Sequence, residues 1–121
     1  MRVLVCGGRE FYNKALIKKT LDELHAKTPI TCLIQGGANG ADFLAKHWAT
    51  AYGSGIDQEE YKYERGGTGK QAGSIRNLAM LIHGKPDLVV AFPGDSGTAD
   101  MKRQARKAGV KVLEISDVNP G

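Results

Sequence analysis

The stretch "DLVVAFPGDSGTADM", residues 87–101, runs from an apolar segment through Pro-Gly-Asp-Ser-Gly-Thr into a helical pattern. An apolar run rich in Val and Leu that stops at glycine reads as a buried parallel strand. Three more runs share this form. "RVLVC" (2–6) ends at Gly7-Gly8, "ITCLIQ" (30–35) ends at Gly36-Gly37, and "VKVLEI" (110–115) closes the series. "IDQEEYKY" (56–63) is more polar and suits an edge strand.

Helical patterns separate these runs. Residues 13–27 put Leu16, Ile17, Leu21 and Leu24 on one face, and residues 41–52 put Ala41, Leu44, Ala45, Trp48, Ala49 and Tyr52 at helical spacing. Residues 71–83 carry Ala72, Ile75, Leu78, Ala79 and Ile82; residues 98–108 carry Met101, Ala105 and Ala108, with Gly109 placed as a C′ glycine. Each stripe reads as core packing, Trp48 included. Strands alternating with helices imply an α/β fold: a single Rossmann-like domain, three-layer α/β/α, with a parallel five-stranded sheet. The expected strand order is 3-2-1-4-5, which places ligands beyond the carboxyl ends of strands 1 and 4, where the order reverses. The domain is expected over residues 1–116, with 117–121 as a flexible C-terminal tail.

The length of 121 residues fits one core, and 41% apolar with 25% charged residues is ordinary for a soluble globular chain. No apolar run approaches the ~20 residues of a membrane helix, and the start does not read as a signal peptide. A cytoplasmic protein is expected. The net charge of +4 suits an anionic ligand, yet a committed nucleic-acid binder shows a denser basic patch. Cys6 and Cys32 lie inside apolar runs and read as small buried hydrophobes. His25, His47 and His83 lack ligand spacing, so no metal is expected.

The chemistry is expected at the glycine turns. Gly7-Gly8, Gly36-Gly37 with Gly40, and Gly94 with Gly97 each follow a strand and open a helix. Such turns expose N–H groups at the positive end of a helix and attract phosphate, although tight βα turns need glycine in any case. In "FPGDSGT" the expected phosphate contacts are Pro93, Gly94, Ser96, Gly97 and Thr98, with Thr98 or Ser96 also capping the helix. Asp95 would repel a phosphate, so it either meets ribose hydroxyls or is neutralised by an arginine. Arg9 is suited to bidentate phosphate contact or to a surface ion pair. Asp42, in a first helical turn, serves either the helix dipole or the ligand. "ERGGTGKQAGSIRN" (64–77) is not a P-loop, because Gly69-Lys70 is followed by Gln71 and Glu64 stands where the first glycine belongs. Lys70 and Arg76 remain as cations for a phosphate. Lys102, Arg103, Arg106 and Lys107 read as a solvated face.

Five motifs occur in register: "VCGGREF", "GGANGADFLAKHWA", "GKQAGSIRN", "DLVVAFPGDSGTADM" and "ARKAGVKV". Together they resemble the YspA-like, YpsA-related branch of the SLOG superfamily over nearly the whole chain. That superfamily also takes in LOG phosphoribohydrolases and DprA-type DNA-processing proteins. The resemblance implies a Rossmann-like domain that binds a nucleotide or nucleotide-derived signalling ligand and self-associates as a homo-oligomer; no cofactor is expected. The expected ligand-binding set also includes Gly7, Gly8 and Gly37 from the glycine turns and Asn77 from "GKQAGSIRN". LOG enzymes carry P-G-G-x-G-T-x-x-E and cleave the N-glycosidic bond of nucleoside 5′-monophosphates. Pro93, Gly94, Gly97 and Thr98 match that motif, and Arg76 resembles the required arginine. Asp95 replaces the second glycine, and Met101 occupies the glutamate slot.

Glycosidic cleavage passes through an oxocarbenium-like state that calls for a carboxylate, which methionine does not offer. Asp100 is turned about 100° from that slot and is expected to point elsewhere unless the helix starts differently. Arg76, Asp95 and Asp100 stand as catalytic candidates, with Asp42, Glu59 and Glu64 as further carboxylates. Three functions follow in order: nucleotide binding, LOG-like hydrolysis, and DprA-like nucleic-acid binding, which rests on fold analogy.

Overall fold

A computed structural model of the chain describes residues 1–52, 55–62 and 69–117, with the backbone alone over 69–72. Nine elements alternate: β1 (Arg2–Cys6), α1 (Lys14–Lys27), β2 (Cys32–Gln35), α2 (Ala41–Tyr52), β3 (Asp57–Glu60), α3 (Gly69–Gly84), β4 (Leu88–Ala91), α4 (Ser96–Lys107) and β5 (Lys111–Glu114). The sheet order is β3-β2-β1-β4-β5, and each pairing is parallel. This is the Rossmann-like order the sequence predicts.

Strand periodicity of two divides the core into two layers. Val3 and Val5 of β1 join Ile17, Leu21, Ala45 and Trp48 under α1 and α2. Leu4 and Cys6 point the other way, into a layer with Ile34, Met80, Met101 and Ala105 under α3 and α4. The three central strands β1, β2 and β4 are almost wholly buried, which is why they read as continuous apolar runs. β3 is the polar edge, four residues long rather than the eight expected from "IDQEEYKY". Charged side chains on a short edge strand block further pairing. Trp48 is core, as read; its Nε1–H donates to Asp22 Oδ1 at 2.9 Å, tying α2 to α1.

Helix α4 begins at Ser96, two residues before the expected start. The N-cap is Asp95, whose Oδ1 accepts from the Gly97 N–H at 3.3 Å. The expectation that Ser96 or Thr98 caps this helix is corrected: aspartate is among the strongest caps and stands one residue ahead of both. Asp117, placed in the tail by sequence, accepts from Asn13 Nδ2 at 2.6 Å. Residues 118–121 lie outside the described residues.

Candidate functional site

Between β1 and β4 the helices leave the sheet in opposite directions, so no crossover covers the carboxyl ends of these strands. A cavity of about 510 Å³ opens there. That volume suits a small-molecule ligand. Its walls come from the turn after β1 (Gly7, Arg9), the turn after β2 (Ala38, Asp42), one side of α3 (Gly73, Ser74, Arg76, Asn77) and the start of α4 (Asp95 to Thr98, Asp100, Arg103).

The α4 end supplies the anion-attracting geometry. Asp95 takes the Gly97 N–H on its carboxylate and the Ala99 N–H on its backbone carbonyl at 3.0 Å. The first turn of a helix leaves four N–H groups without helical partners. Ser96 and Thr98, the other two residues of that turn, both line the cavity. A Cβ on Gly97 would meet only Asp95 Oδ1, at 3.8 Å, so this turn has open space in front of it. Arg9, Arg76 and Arg103 add three guanidinium groups to the walls. Arg76 is half-buried and anchored: Nη1 donates to Gly36 O at 3.2 Å and Nη2 to Asn77 Oδ1 at 3.3 Å.

Three carboxylates line the cavity, and their surroundings differ. Asp100 is saturated with donors. Asn77 Nδ2 reaches it at 3.0 Å, Gln104 Nε2 at 2.8 Å and Ser74 Oγ at 3.4 Å, and Arg103 pairs with it. Burial works against its ionisation, yet the bonds from Asn77 and Gln104 and the charge of Arg103 outweigh it and hold the carboxyl below its usual range. Asp95 is exposed and occupied as a cap. Asp42 is 6% exposed, and its Oδ2 accepts from the Gly36 and Ala38 N–H groups at 3.1 and 3.2 Å. Burial pushes it up to about 6, against the downward pull of those N–H groups and of Arg76. Asp42 is the carboxyl poised to change charge near neutral pH. Cys6 also lines the cavity, but burial pushes its thiol up to about 12, so it offers no thiolate.

The expectation that Asp100 points away from the site is corrected. Asp100 lies on the cavity side of α4, about 100° round the helix from Met101, which occupies the glutamate slot and is fully buried in the layer under α3 and α4. Glu59 is elsewhere, bonded to Arg2 Nη2 at 2.5 Å and to the Tyr61 hydroxyl at 2.7 Å. Glu64 and the side chain of Lys70 lie outside the described residues.

The expected ligand set divides in two. Gly7, Arg9, Asp42, Arg76, Asn77, Asp95, Ser96, Gly97 and Thr98 line the first cavity. Gly8, Pro93 and Gly94, again with Arg9 and Asp95, line a second cavity of about 510 Å³ beside it. Gly37 lines neither; its N–H donates to Gln35 Oε1 at 2.5 Å. The Gly8 N–H is taken by Pro93 O at 2.8 Å, so it stitches two turns together instead of facing an anion. Asn77 holds the first turn of α4 through Gly97 O at 3.2 Å, a positioning role. Ser74 and Arg103 were missed by sequence reasoning. The (i, i+3) spacing of Asp100 and Arg103 was the available signal.

The chain resembles known proteins along its length. A family model described as "YspA, cpYpsA-related SLOG family" matches residues 1–65. The Gene 61 protein of Mycobacterium phage D29 is 36% identical, over 96% of this chain and 97% of that protein. DNA processing protein A (DprA) from Streptococcus pneumoniae superposes with a TM-score of 0.72 at 19% identity, a likeness of fold. That match covers 98% of this chain, which spans about half of the DprA chain, 51%. By sequence match and relatedness, this chain belongs to the YspA, cpYpsA-related SLOG family.

Proposed function

We propose that this Rossmann-like SLOG domain binds a nucleotide or a nucleotide-derived ligand, with the phosphate at the start of α4. One observation carries the reading: the open first turn of α4 faces a cavity with three arginines in its walls. Helix dipole and guanidinium charge then act on the same point. Arg9 and Arg76 hold the phosphate, and Asp42 accepts from a sugar hydroxyl. The test is calorimetry with nucleoside mono- and diphosphates, NAD, ADP-ribose and cyclic nucleotides, followed by mass spectrometry of bound and free fractions. Intact nucleotide on the protein is the expected result. Absence of binding across the panel at millimolar concentration would remove the proposal.

A second reading, cleavage of the N-glycosidic bond, is favoured by Asp42 alone. A carboxyl that titrates near pH 6 inside a cavity has the poise of a general acid or base. Free base and ribose phosphate in the incubated mixture would establish it, and loss of that release in Asp42→Asn would assign the residue. Nucleic-acid binding draws less support. Lys102 and Arg106 share Glu114 at 2.7 and 2.9 Å, and Arg103 pairs with Asp100, so two carboxylates offset about half of the positive charge on α4. Self-association belongs to the same proposal, supported by Ile75, Leu78 and Ile82, which the sequence pattern assigns to the core but which stand exposed along α3, whose buried face is Asn77, Met80 and Leu81 instead.

A further inference from the structure

The second cavity has a different character from the first. Both are bordered by Arg9 and Asp95, so they meet along that pair. The first sets three arginines against three aspartates. The second sets Arg9 against Glu10, Asp95 and Asp117. Its surplus of carboxylate disfavours a phosphate and favours groups that donate hydrogen bonds. Its backbone offers no donor from Gly8, whose N–H is held by Pro93 O, and Gly8 O already accepts from Phe11 and Ala41.

The walls also carry an aromatic ledge. Tyr12 is 63% exposed and lines the cavity, while its neighbour Phe11 is buried edge-on against Phe92, with ring centroids 5.4 Å apart. That contact fixes the loop that presents Tyr12. At the rim, Asp117 is fixed by Asn13 Nδ2 on one oxygen. Asn13 also caps α1 by accepting from the Leu16 N–H at 3.1 Å.

We infer that the second cavity is a base subsite for an amine-bearing nucleobase, stacked on Tyr12 with its exocyclic amino group donating to Asp117 or Glu10. The ribose then crosses the Arg9–Asp95 border, where Asp95 accepts from a sugar hydroxyl. This inference rests on the nucleotide reading above, because the phosphate anchor is the start of α4.

The experiment is calorimetric titration of AMP, GMP and CMP against IMP and UMP, with ribose 5-phosphate as the ligand without a base. The proteins are the wild-type chain, Tyr12→Ala and Tyr12→Phe. An amine-bearing nucleotide should bind several-fold more tightly than IMP and UMP. Tyr12→Ala should weaken that nucleotide about tenfold, the usual worth of one stacked base. Tyr12→Phe should restore it, and ribose 5-phosphate should bind wild type and Tyr12→Ala alike. Because the Tyr12 side chain is largely exposed, neither variant threatens the core. Nucleotide binding that ignores Tyr12→Ala, or equal weakening of ribose 5-phosphate, would overturn the base subsite and leave the nucleotide reading standing. Failure of every nucleotide to bind would overturn both.

Discussion

The turns after β2 and β4 look alike in sequence, with "GGANGAD" at one and "PGDSGTAD" at the other, but they use their backbone in opposite ways. The β2 turn is closed upon itself. Its Gly36 and Ala38 N–H groups donate to Asp42, and its Gly37 N–H donates to Gln35. Its Gly40, at a φ of 76°, lies so close to the β1 turn that a Cβ would fall 2.2 Å from Gly8 O. The β4 turn keeps its own cap in Asp95 and leaves open space before Gly97. Glycine therefore means contact between two backbones at Gly40 and also at Gly94, where a Cβ would fall 2.8 Å from Gly8 N, and access only at Gly97. Composition does not distinguish Gly40 from Gly97; the space in front of each does.

The largest expected effect comes from forcing that contact apart. Gly40→Ala combines a positive φ with a clash against carbonyl oxygen, which cannot swing aside as a side chain would. A loss of about 3 kcal/mol or more is expected, in the range of severe core damage. Urea unfolding measures it. A midpoint within experimental error of wild type would mean that the β1 and β2 turns separate easily, and that Gly40 is no more constrained than Gly97.

Next in size is the carboxyl enclosed by the closed turn. Asp42 rises from 3.8 unfolded to about 6 folded, so the folded chain holds a proton that the unfolded chain releases. Stability from this group is therefore fully present below about pH 4 and is lost as pH rises through about 6. A gap of about two units corresponds to about 3 kcal/mol. The groups acting on it are the N–H donors of its own turn, Arg76 from α3 and Glu60 from β3. Asp42→Asn keeps an oxygen for the two N–H groups and removes the titration. Its stability should vary less between pH 4 and 7 than that of wild type, and it should be the more stable protein above pH 7. Parallel curves for the two proteins, from chemical denaturation at several pH values, would show that Asp42 does not titrate in this range.

The legibility of the molecule follows the same division. Strand order was readable because buried parallel strands must be apolar on both faces, and β1, β2 and β4 are. β3 was overextended because its polar residues carry no burial signal that marks an end. At the site, the residue types were readable but their directions were not. Met101 faces the core, and the turn of about 100° back to Asp100 brings that carboxylate to the cavity. The cap that sets the start of α4 is Asp95, for which the sequence suggested ribose hydroxyls or an arginine partner rather than a cap. Which N–H groups face the cavity was hidden for a related reason: the acceptors of Gly8 and Gly37, Pro93 O and Gln35 Oε1, come from elsewhere in the fold or from a side chain.

The smallest expected change in stability carries the most information about function. Gly97→Ala adds a methyl group that meets only Asp95 Oδ1, at van der Waals distance, and Gly97 does not have a positive φ. In the first turn of a helix, alanine also restricts the unfolded chain, so stability should change by no more than about 1 kcal/mol, in either direction. The same methyl occupies the space before the turn where the phosphate is proposed to sit. Nucleotide affinity should therefore fall at least about tenfold while the unfolding midpoint holds, since a phosphate held by backbone N–H groups cannot tolerate a displaced approach. Gly97→Leu should abolish binding altogether. If both variants bound nucleotide as wild type does, the open space before α4 would not be the phosphate site. If binding and stability fell together, Gly97 would resemble Gly40, and the two turns would be closed alike.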